Sequence, residues 1–170
     1  MIYPIVLYGD PVLKKKGTAI EKGQIDLVEL AQDMFETMEN ASGVGLAAPQ
    51  IGKSIRMFVM DSSPMAEDGE VGVRQVFVNP EILEETGTVW AFEEGCLSIP
   101  GIREDVNREP EIRIKFFDEH WDAHEAHFDG MEARVIQHEF DHINGILFTD
   151  HVSAFKKRLL KSKLTNISKG

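Results

Sequence analysis

The segment 131–144 constrains the fold of this chain more than any other part of the sequence. It contains neither proline nor internal glycine and ends at Asn144-Gly145, which is typical of a helix and its stop signal. Inside it, His138-Glu-Phe-Asp-His142 has the pattern H-E-x-x-H. Histidines four residues apart on a helix lie about one turn apart on the same face, so both imidazoles can reach one metal ion. The sequence therefore predicts a helix that carries a metal site.

The face of this helix that bears the histidines is predicted to point inward. Met131, Val135, His138 and His142 follow one another at steps of four, three and four residues, so the two histidines continue an apolar stripe. Imidazoles that face the interior need polar partners, and a metal ion is a natural one.

A catalytic site of this kind normally uses three protein ligands, so a third ligand is expected. Cys96 is favoured because Gly95 and Pro100 bracket it at the end of a predicted strand, where a ligand can be aimed. It is also the only cysteine, so it cannot form an internal disulfide. The other candidates are His120, His124 and His127, each of which is more typical of a surface or cross-strand residue in or beside the predicted hairpin, and nearby carboxylates such as Asp150.

The rest of the chain favours an α+β fold. Leu27, Leu30, Ala31, Met34 and Met38 recur at helical spacing, which predicts a helix from Asp26 to Asn40, and a third helix is expected from Ser153 to about Lys163 with Phe155, Leu159 and Leu160 on its apolar side. Short apolar or alternating runs predict the strands 55–60, 76–78, 88–92, 111–117 and 123–128, the last two forming an antiparallel hairpin. We expect antiparallel strands in small sheets packed around the central H-E-x-x-H helix, with an N-terminal and a C-terminal helix.

Length and composition are those of one globular catalytic domain over residues 1–170. Neither a membrane span nor the layout of a secretory signal is found, so a cytoplasmic location is expected. The formal net charge of −11 argues against nucleic acid as the main ligand, so we expect no specific DNA binding; no membrane partner is expected either.

The charge is unevenly distributed. Residues 151–170 contain no acidic residue, although the whole chain has 29, so this tail is basic on an acidic body. Such a segment is either a solvated helix face or an electrostatic docking surface. Its basic residues are Lys156, Lys157, Arg158, Lys161, Lys163 and Lys169.

Three motifs resemble, in order and rough spacing, the signature motifs of the peptide deformylases. They are Gly43-x-Gly45-Leu-Ala-Ala-x-Gln50, Glu94-Gly95-Cys96-Leu97-Ser98 and Gln137-His138-Glu139-x-Asp141-His142. The resemblance extends from the N-terminal segment to the start of the basic tail, and it implies the same α+β fold. It also implies hydrolysis of the N-formyl group of the formyl-methionine that begins nascent bacterial-type polypeptides, with release of formate.

The resemblance implies particular roles for the site residues. Cys96, His138 and His142 would hold one Fe(2+) per chain, with Zn, Ni or Co possible in the purified protein. The Gln50 amide and the Leu97 backbone N–H would stabilise the oxyanion. Glu139, which is next to a ligand without being needed as one, is placed to move the proton. It further implies a transient contact with the ribosome through the basic C-terminal helix.

The substrate is expected to lie along glycines that permit close backbone approach and against a flexible apolar pocket. The residues predicted to contact it are Gly43, Val44, Gly45, Gly95, Met131 and Val135. Two other functions compete with this one. An H-E-x-x-H zinc peptidase usually takes its third ligand downstream, and a non-catalytic metal-binding or redox-sensing domain would close its metal with a fourth ligand.

Overall fold

The computed structural model describes residues 1–170 and contains three α-helices and seven strands. The helices are α1 (Leu27–Asn40), α2 (Gly130–Ile143) and α3 (Ala154–Ser168). The strands are β1 (Gly45–Ala47), β2 (Met57–Asp61), β3 (Arg74–Thr86), β4 (Trp90–Cys96), β5 (Ile99–Arg108), β6 (Glu111–Phe117) and β7 (Ala123–Asp129). The predicted α+β class is confirmed.

The strands form two antiparallel sheets. One has the order β1-β2-β3-β6-β7, and the other is the hairpin β4-β5. The predicted β6-β7 hairpin is present, with Glu111 paired to Asp129 and Phe117 to Ala123. The prediction missed β5 altogether and treated β1 as part of a loop.

Helix α1 begins at the predicted position, with Asp26 as its N-cap. The Asp26 side chain accepts a hydrogen bond from the Glu29 backbone N–H at 3.1 Å, which satisfies one of the free amides of the first turn. Leu30, Met34 and Met38 are buried in a core cluster with residues of β2 and β3. The sheet is thereby covered on one side by α1.

Helix α2 lies deep in the fold. Ala133, Ile136 and Ile143 pack in a second core cluster with the aromatic side chains of Phe58 and Phe77. Because α2 packs against this core, several of its polar side chains are buried as well, including His138, Glu139 and His142. No helix of the fold combines the length and apolar character that crossing a bilayer requires.

Helix α3 is longer than expected and uses a different face. Leu160 and Leu164, one turn apart, are buried in a third core cluster, whereas Phe155 and Leu159 are 65% and 60% exposed. The predicted apolar side was therefore wrong for Phe155 and Leu159, because the stripe that contacts the core is centred on Leu160.

Candidate metal centre

Three potential ligands converge at one point. The donor atoms of Cys96, His138 and His142 all lie within 4.8 Å of one another. Cys96 Sγ is 3.3 Å from His142 Nε2, and the two imidazole rings are 4.9 Å apart between centroids. The sulfur at the end of β4 and the two nitrogens of α2 thus meet although they come from distant parts of the chain.

Local structure explains how each ligand arrives. Cys96 ends β4 and pairs with Ile99 at the start of β5, after a register shift next to Gly95, so the thiol projects from a tight turn. His138 and His142 lie one helical turn apart on α2. His142 is 1% exposed and His138 9%, so neither imidazole is well hydrated.

The donor set fits a divalent transition metal. One sulfur and two imidazole nitrogens are ligands that iron, zinc, nickel and cobalt accept, whereas calcium and magnesium prefer oxygen. His138 uses its Nδ1 for a hydrogen bond to Glu94 Oε1 at 2.9 Å, which leaves Nε2 for a metal. Three protein ligands leave room for a further ligand, as in catalytic sites.

Glu94 connects this site to two buried arginines. Its carboxylate accepts two hydrogen bonds from Arg108, at 2.6 and 2.9 Å, and one from Arg134 at 2.6 Å, in addition to the bond from His138. Burial by itself would raise the pKa of Glu94, but the hydrogen bonds and charges of His138 and Arg108 lower it well below its usual range. Glu94 is therefore a carboxylate that fixes the tautomer and ring orientation of His138.

The network continues away from the site. Arg108 Nη1 donates to Asp141 Oδ2 at 3.0 Å, and His151 Nε2 lies 2.8 Å from the same oxygen. Asp141 lies on α2 beside His142, so Arg108 links the β-hairpin to both motif segments. Removal of one partner from a buried ion-pair network of this kind leaves an uncompensated buried charge.

The two histidines are held in opposite states when no metal is bound. Burial lowers the pKa of His138, but its hydrogen bonds to Cys96 and Glu94 and the charge of Glu139 outweigh burial and raise the pKa well above its ordinary value. Burial and the charge on His138 lower the pKa of His142 well below that value. A proton therefore resides on His138 while His142 is neutral.

Glu139 is a buried acid next to the site. It is 5% exposed, its Oε1 has no hydrogen-bond partner, and burial raises its pKa to about 7. An acid with a pKa near the working pH is suited to accepting and returning a proton. The burial of Glu139 excludes the alternative that it is an ordinary helix glutamate facing solvent.

A cavity of about 540 Å³ opens beside these residues. It is bounded by Cys96, His138 and Glu139, while His142 lies behind its wall. All six residues predicted to contact substrate line it, namely Gly43, Val44, Gly45, Gly95, Met131 and Val135, and so do Gln50 and Leu97. The structure thus brings together every residue that the sequence assigned to the site.

Gln50 is held with a defined orientation. Its Oε1 accepts a hydrogen bond from the Ala47 backbone N–H at 3.0 Å, and its Nε2 lies 3.2 Å from Ser98 Oγ and 3.5 Å from Cys96 Sγ. Gln50 follows β1 in a short 3-10 helix, and Leu97 immediately follows Cys96. Both therefore lie beside Cys96.

The rejected ligand candidates have other partners. His124 is 2.7 Å from Asp118, His127 is 3.3 Å from Glu111, and His120 is exposed beside Glu119. Asp150 accepts from Lys14 at 2.8 Å and from the Leu147 N–H at 2.9 Å. None of them belongs to the group of potential ligands around Cys96.

Sequence reasoning missed the residues that surround the ligands. Glu94, Ser98 and Asp141 stand inside the quoted motifs but received no role. Arg108 and Arg134 belong to none of the three motifs. The only available signal was the presence of charged residues in otherwise buried segments, since buried charges require partners.

Comparisons with known proteins point to one family. The family model described as polypeptide deformylase matches residues 2–158. The chain is 62% identical to the peptide deformylase of Cytophaga hutchinsonii, covering all of this chain and 92% of that one, and 58% identical to that of Christiangramia forsetii, covering all of this chain and 91% of that one. The solved peptide deformylase structure from Thermus thermophilus is 40% identical, with a TM-score of 0.89 over 99% of both chains.

Proposed function

The chain belongs to the polypeptide deformylase family, enzymes that hydrolyse the N-formyl group of nascent polypeptides, and we propose that Cys96, His138 and His142 hold its catalytic metal ion. The convergence of one sulfur and two imidazole nitrogens within 4.8 Å carries this proposal. We infer that the native ion is Fe(2+), one per chain, because the sulfur and nitrogen donors suit it, and that Ni, Co or Zn can replace it. Residues 1–170 would act as one catalytic unit in the cytoplasm.

The bound ion would act as an electrophile and would make bound water more acidic. A divalent ion at such a site lowers the pKa of water from about 15.7 toward 7 and polarises a carbonyl oxygen. For this, Cys96 must be a thiolate and both imidazoles must be neutral. Glu94 assists by accepting a hydrogen bond from the Nδ1–H of His138, so that Nε2 of this imidazole is left to bind the ion.

Glu139 would move the proton. In its ionised form the carboxylate accepts a proton from the attacking water, and it then returns that proton to the amine nitrogen that leaves. Its burial and its pKa of about 7 in the metal-free protein support this role, because the two protonation states are close in free energy. The products are formate and a peptide with a free amino terminus.

Gln50 and Leu97 would stabilise the negative charge that develops on the formyl oxygen. The Gln50 Nε2 group lies beside Cys96, and the Leu97 backbone N–H belongs to the next residue along the chain. Removal of a single donor of this kind typically raises the barrier by about 2.7–4 kcal/mol.

The substrate would bind as an added strand. β1 is a terminal strand of its sheet, and Gly43, Val44 and Gly45 line the cavity, so an extended peptide can pair with this edge. The methionine side chain would lie against Met131 and Val135, one or two turns before His138 on α2. Gly95 would allow the peptide backbone close to β4 on the other side.

A formate assay tests the activity. We expect formyl-Met-Ala-Ser to release formate and a blocked internal peptide to remain uncleaved. Glu139→Ala should retain the metal and lose most turnover, whereas Cys96→Ala should lose the metal. Cleavage of the internal peptide without formate release would favour a zinc peptidase, and full turnover by the Glu139 variant would refute its role as the base.

The α3 surface suggests a contact with the ribosome. Lys157, Lys161 and Lys163 are exposed and belong to no ion pair, so they present positive charge to a polyanion. We expect the double variant Lys157→Glu/Lys161→Glu to abolish salt-sensitive co-sedimentation with ribosomes. Lys22→Glu, an equally exposed lysine, is the control; unchanged co-sedimentation of the α3 variant would contradict the proposal. Truncation is a poorer test because Leu160 and Leu164 are buried.

A further inference from the structure

We propose that Ser98 is a positioning residue that holds the Gln50 carboxamide in the orientation required to donate to the oxyanion. The inference rests on the proposed role of Gln50 and adds a second residue to it. Ser98 would not touch the substrate. It would act only through Gln50.

The two side chains meet in a buried environment. Gln50 Nε2 donates to Ser98 Oγ at 3.2 Å, and the two residues are 2% and 0% exposed. Because bulk water does not reach this contact, we expect removal of the hydroxyl to leave the Gln50 N–H without this partner. The hydrogen bond is therefore specific to a polar side chain at position 98.

Hydrogen bonds assign the two ends of the carboxamide. The Ala47 backbone N–H is a donor, so the atom that it meets at 3.0 Å must be the amide oxygen of Gln50. The amide nitrogen consequently faces Ser98 and Cys96. Of its two hydrogens, one bonds Ser98 Oγ, and the other is donated to Cys96 Sγ at 3.5 Å in the substrate-free protein, so this second hydrogen is the one that would turn to the substrate oxygen.

Ser98 restricts the last side-chain torsion of Gln50, which otherwise rotates easily. The last side-chain torsion of glutamine has a broad energy profile, so one hydrogen bond at the oxygen fixes it incompletely. The second bond, at the nitrogen, restricts the rotation of the carboxamide plane. A donor that is already aligned requires no reorganisation as charge develops on the substrate.

The backbone around both residues is fixed independently of the Ser98 hydroxyl. The Val6 N–H donates to the Gln50 carbonyl at 2.8 Å, and the Tyr8 N–H donates to the Ser98 carbonyl at 2.8 Å. The N-terminal segment that contains Val6 and Tyr8 thus forms hydrogen bonds with both the Gln50 and the Ser98 backbone. Removal of the hydroxyl should free the Gln50 side chain while its backbone remains in place.

A double-mutant cycle tests the proposal. We expect Ser98→Ala to lower kcat about tenfold with KM changed less than about twofold, and Gln50→Ala to lower kcat about 100-fold. In the Gln50→Ala background, the added Ser98→Ala should change kcat by less than about twofold, because its target is gone. Ser62→Ala, the same change at another buried serine, is the control and should keep kcat.

A spectroscopic readout separates positioning from a general loss of stability. In the zinc-loaded, 15N-labelled protein, Ser98→Ala should shift the side-chain amide signals of Gln50 and reduce the separation of its two protons. Those signals are identified by their absence in Gln50→Ala. Ser62→Ala should leave them unchanged.

The outcomes are distinguishable. Wild-type kcat for Gln50→Ala would refute the role of Gln50 and, with it, that of Ser98. A loss of kcat for Gln50→Ala, combined with wild-type kcat for Ser98→Ala, would refute only the Ser98 proposal. An equal effect of Ser98→Ala in both backgrounds, or unshifted Gln50 amide signals, would also overturn it.

Discussion

Gly45 and Glu139 are packed so closely that a side chain at position 45 would have to displace the Glu139 carboxylate. A Cβ atom built on Gly45 would lie 2.5 Å from Glu139 Oε2 and 3.0 Å from its Cγ. The first distance is shorter than a Cβ atom tolerates, so β1 limits the position of a carboxylate that α2 carries. The first and third sequence motifs are therefore joined by a steric contact.

Gly45→Ala should displace the Glu139 carboxylate. A displacement of about 1 Å costs on the order of 100-fold in rate, so we expect kcat/KM to fall about 100-fold with metal content unchanged. Formate release and metal analysis are the measurements. Gly23→Ala adds a methyl group that meets no atom but strains a backbone with a φ of 86°, so it controls for backbone strain away from the site. Wild-type kcat/KM in Gly45→Ala would show that the carboxylate moves aside at no cost.

Glu94→Gln should weaken both the fold and metal binding. It leaves Arg108 and Arg134 as buried cations without their shared carboxylate, which typically costs about 3–5 kcal/mol of unfolding free energy. Loss of the His138 partner should also reduce metal affinity by about 10–100-fold. Denaturant unfolding and competitive metal titration measure the two effects.

The neighbouring residue supplies the control for Glu94. Glu93 pairs with Arg103, but both side chains are more than half exposed. Glu93→Gln should therefore change stability by less than about 0.5 kcal/mol. Equal stability of the two variants would mean that the buried network contributes nothing to the folded state.

Metal uptake should release protons. In the metal-free protein the pKa of His138 is raised, so this imidazole carries a proton that a metal must displace. Apparent affinity should fall as pH decreases, by about tenfold per pH unit for each proton released. Zinc titration calorimetry in two buffers of different ionisation enthalpy counts these protons. Affinity independent of pH between about 6 and 8 would contradict the expected protonation of His138.

The sequence predicted those parts of the site that have local signatures. The helix α2 that carries the two histidines and the β6-β7 hairpin both follow from periodicity within a few residues, and both elements are confirmed. Strand β5 was missed because it begins Ile99-Pro-Gly and continues with charged residues, with few apolar positions buried. β1 was missed because only three residues pair, inside a glycine-rich segment.

Contacts between distant residues could not be predicted. Glu94 binds Arg108 across a hairpin and Arg134 from a helix 40 residues later, and no periodic pattern connects them. Phe155 and Leu159 looked like a core face because helical spacing identifies a stripe without showing which stripe contacts the protein. The structure decides this by burying Leu160 and Leu164.

The stability of the metal-free protein should depend on pH through Glu139. Folding raises the pKa of this residue from 4.5 to about 7 because the carboxyl group is buried. The neutral form is tolerated in the folded state, so no stability is lost below about pH 4.5. As pH rises from 4.5 to about 7, the unfolded chain ionises first, and the folded state is progressively destabilised.

Glu139→Gln removes this ionisation and should stabilise the metal-free protein at neutral pH. The unfolding free energy of the variant relative to wild type should rise with pH and level off above about pH 7, with a gain of about 3 kcal/mol. Other titrating groups are common to both proteins and cancel in the difference. Denaturant unfolding at about pH 5, 6, 7 and 8 measures it, with the exposed Glu70→Gln as control. Parallel stability profiles for wild type and Glu139→Gln would show that Glu139 is not held as a buried acid. With metal bound, the positive charge of the ion should favour the carboxylate and shrink the gain. The gain in the metal-free protein would then measure the stability that the fold gives up to bury the proposed base.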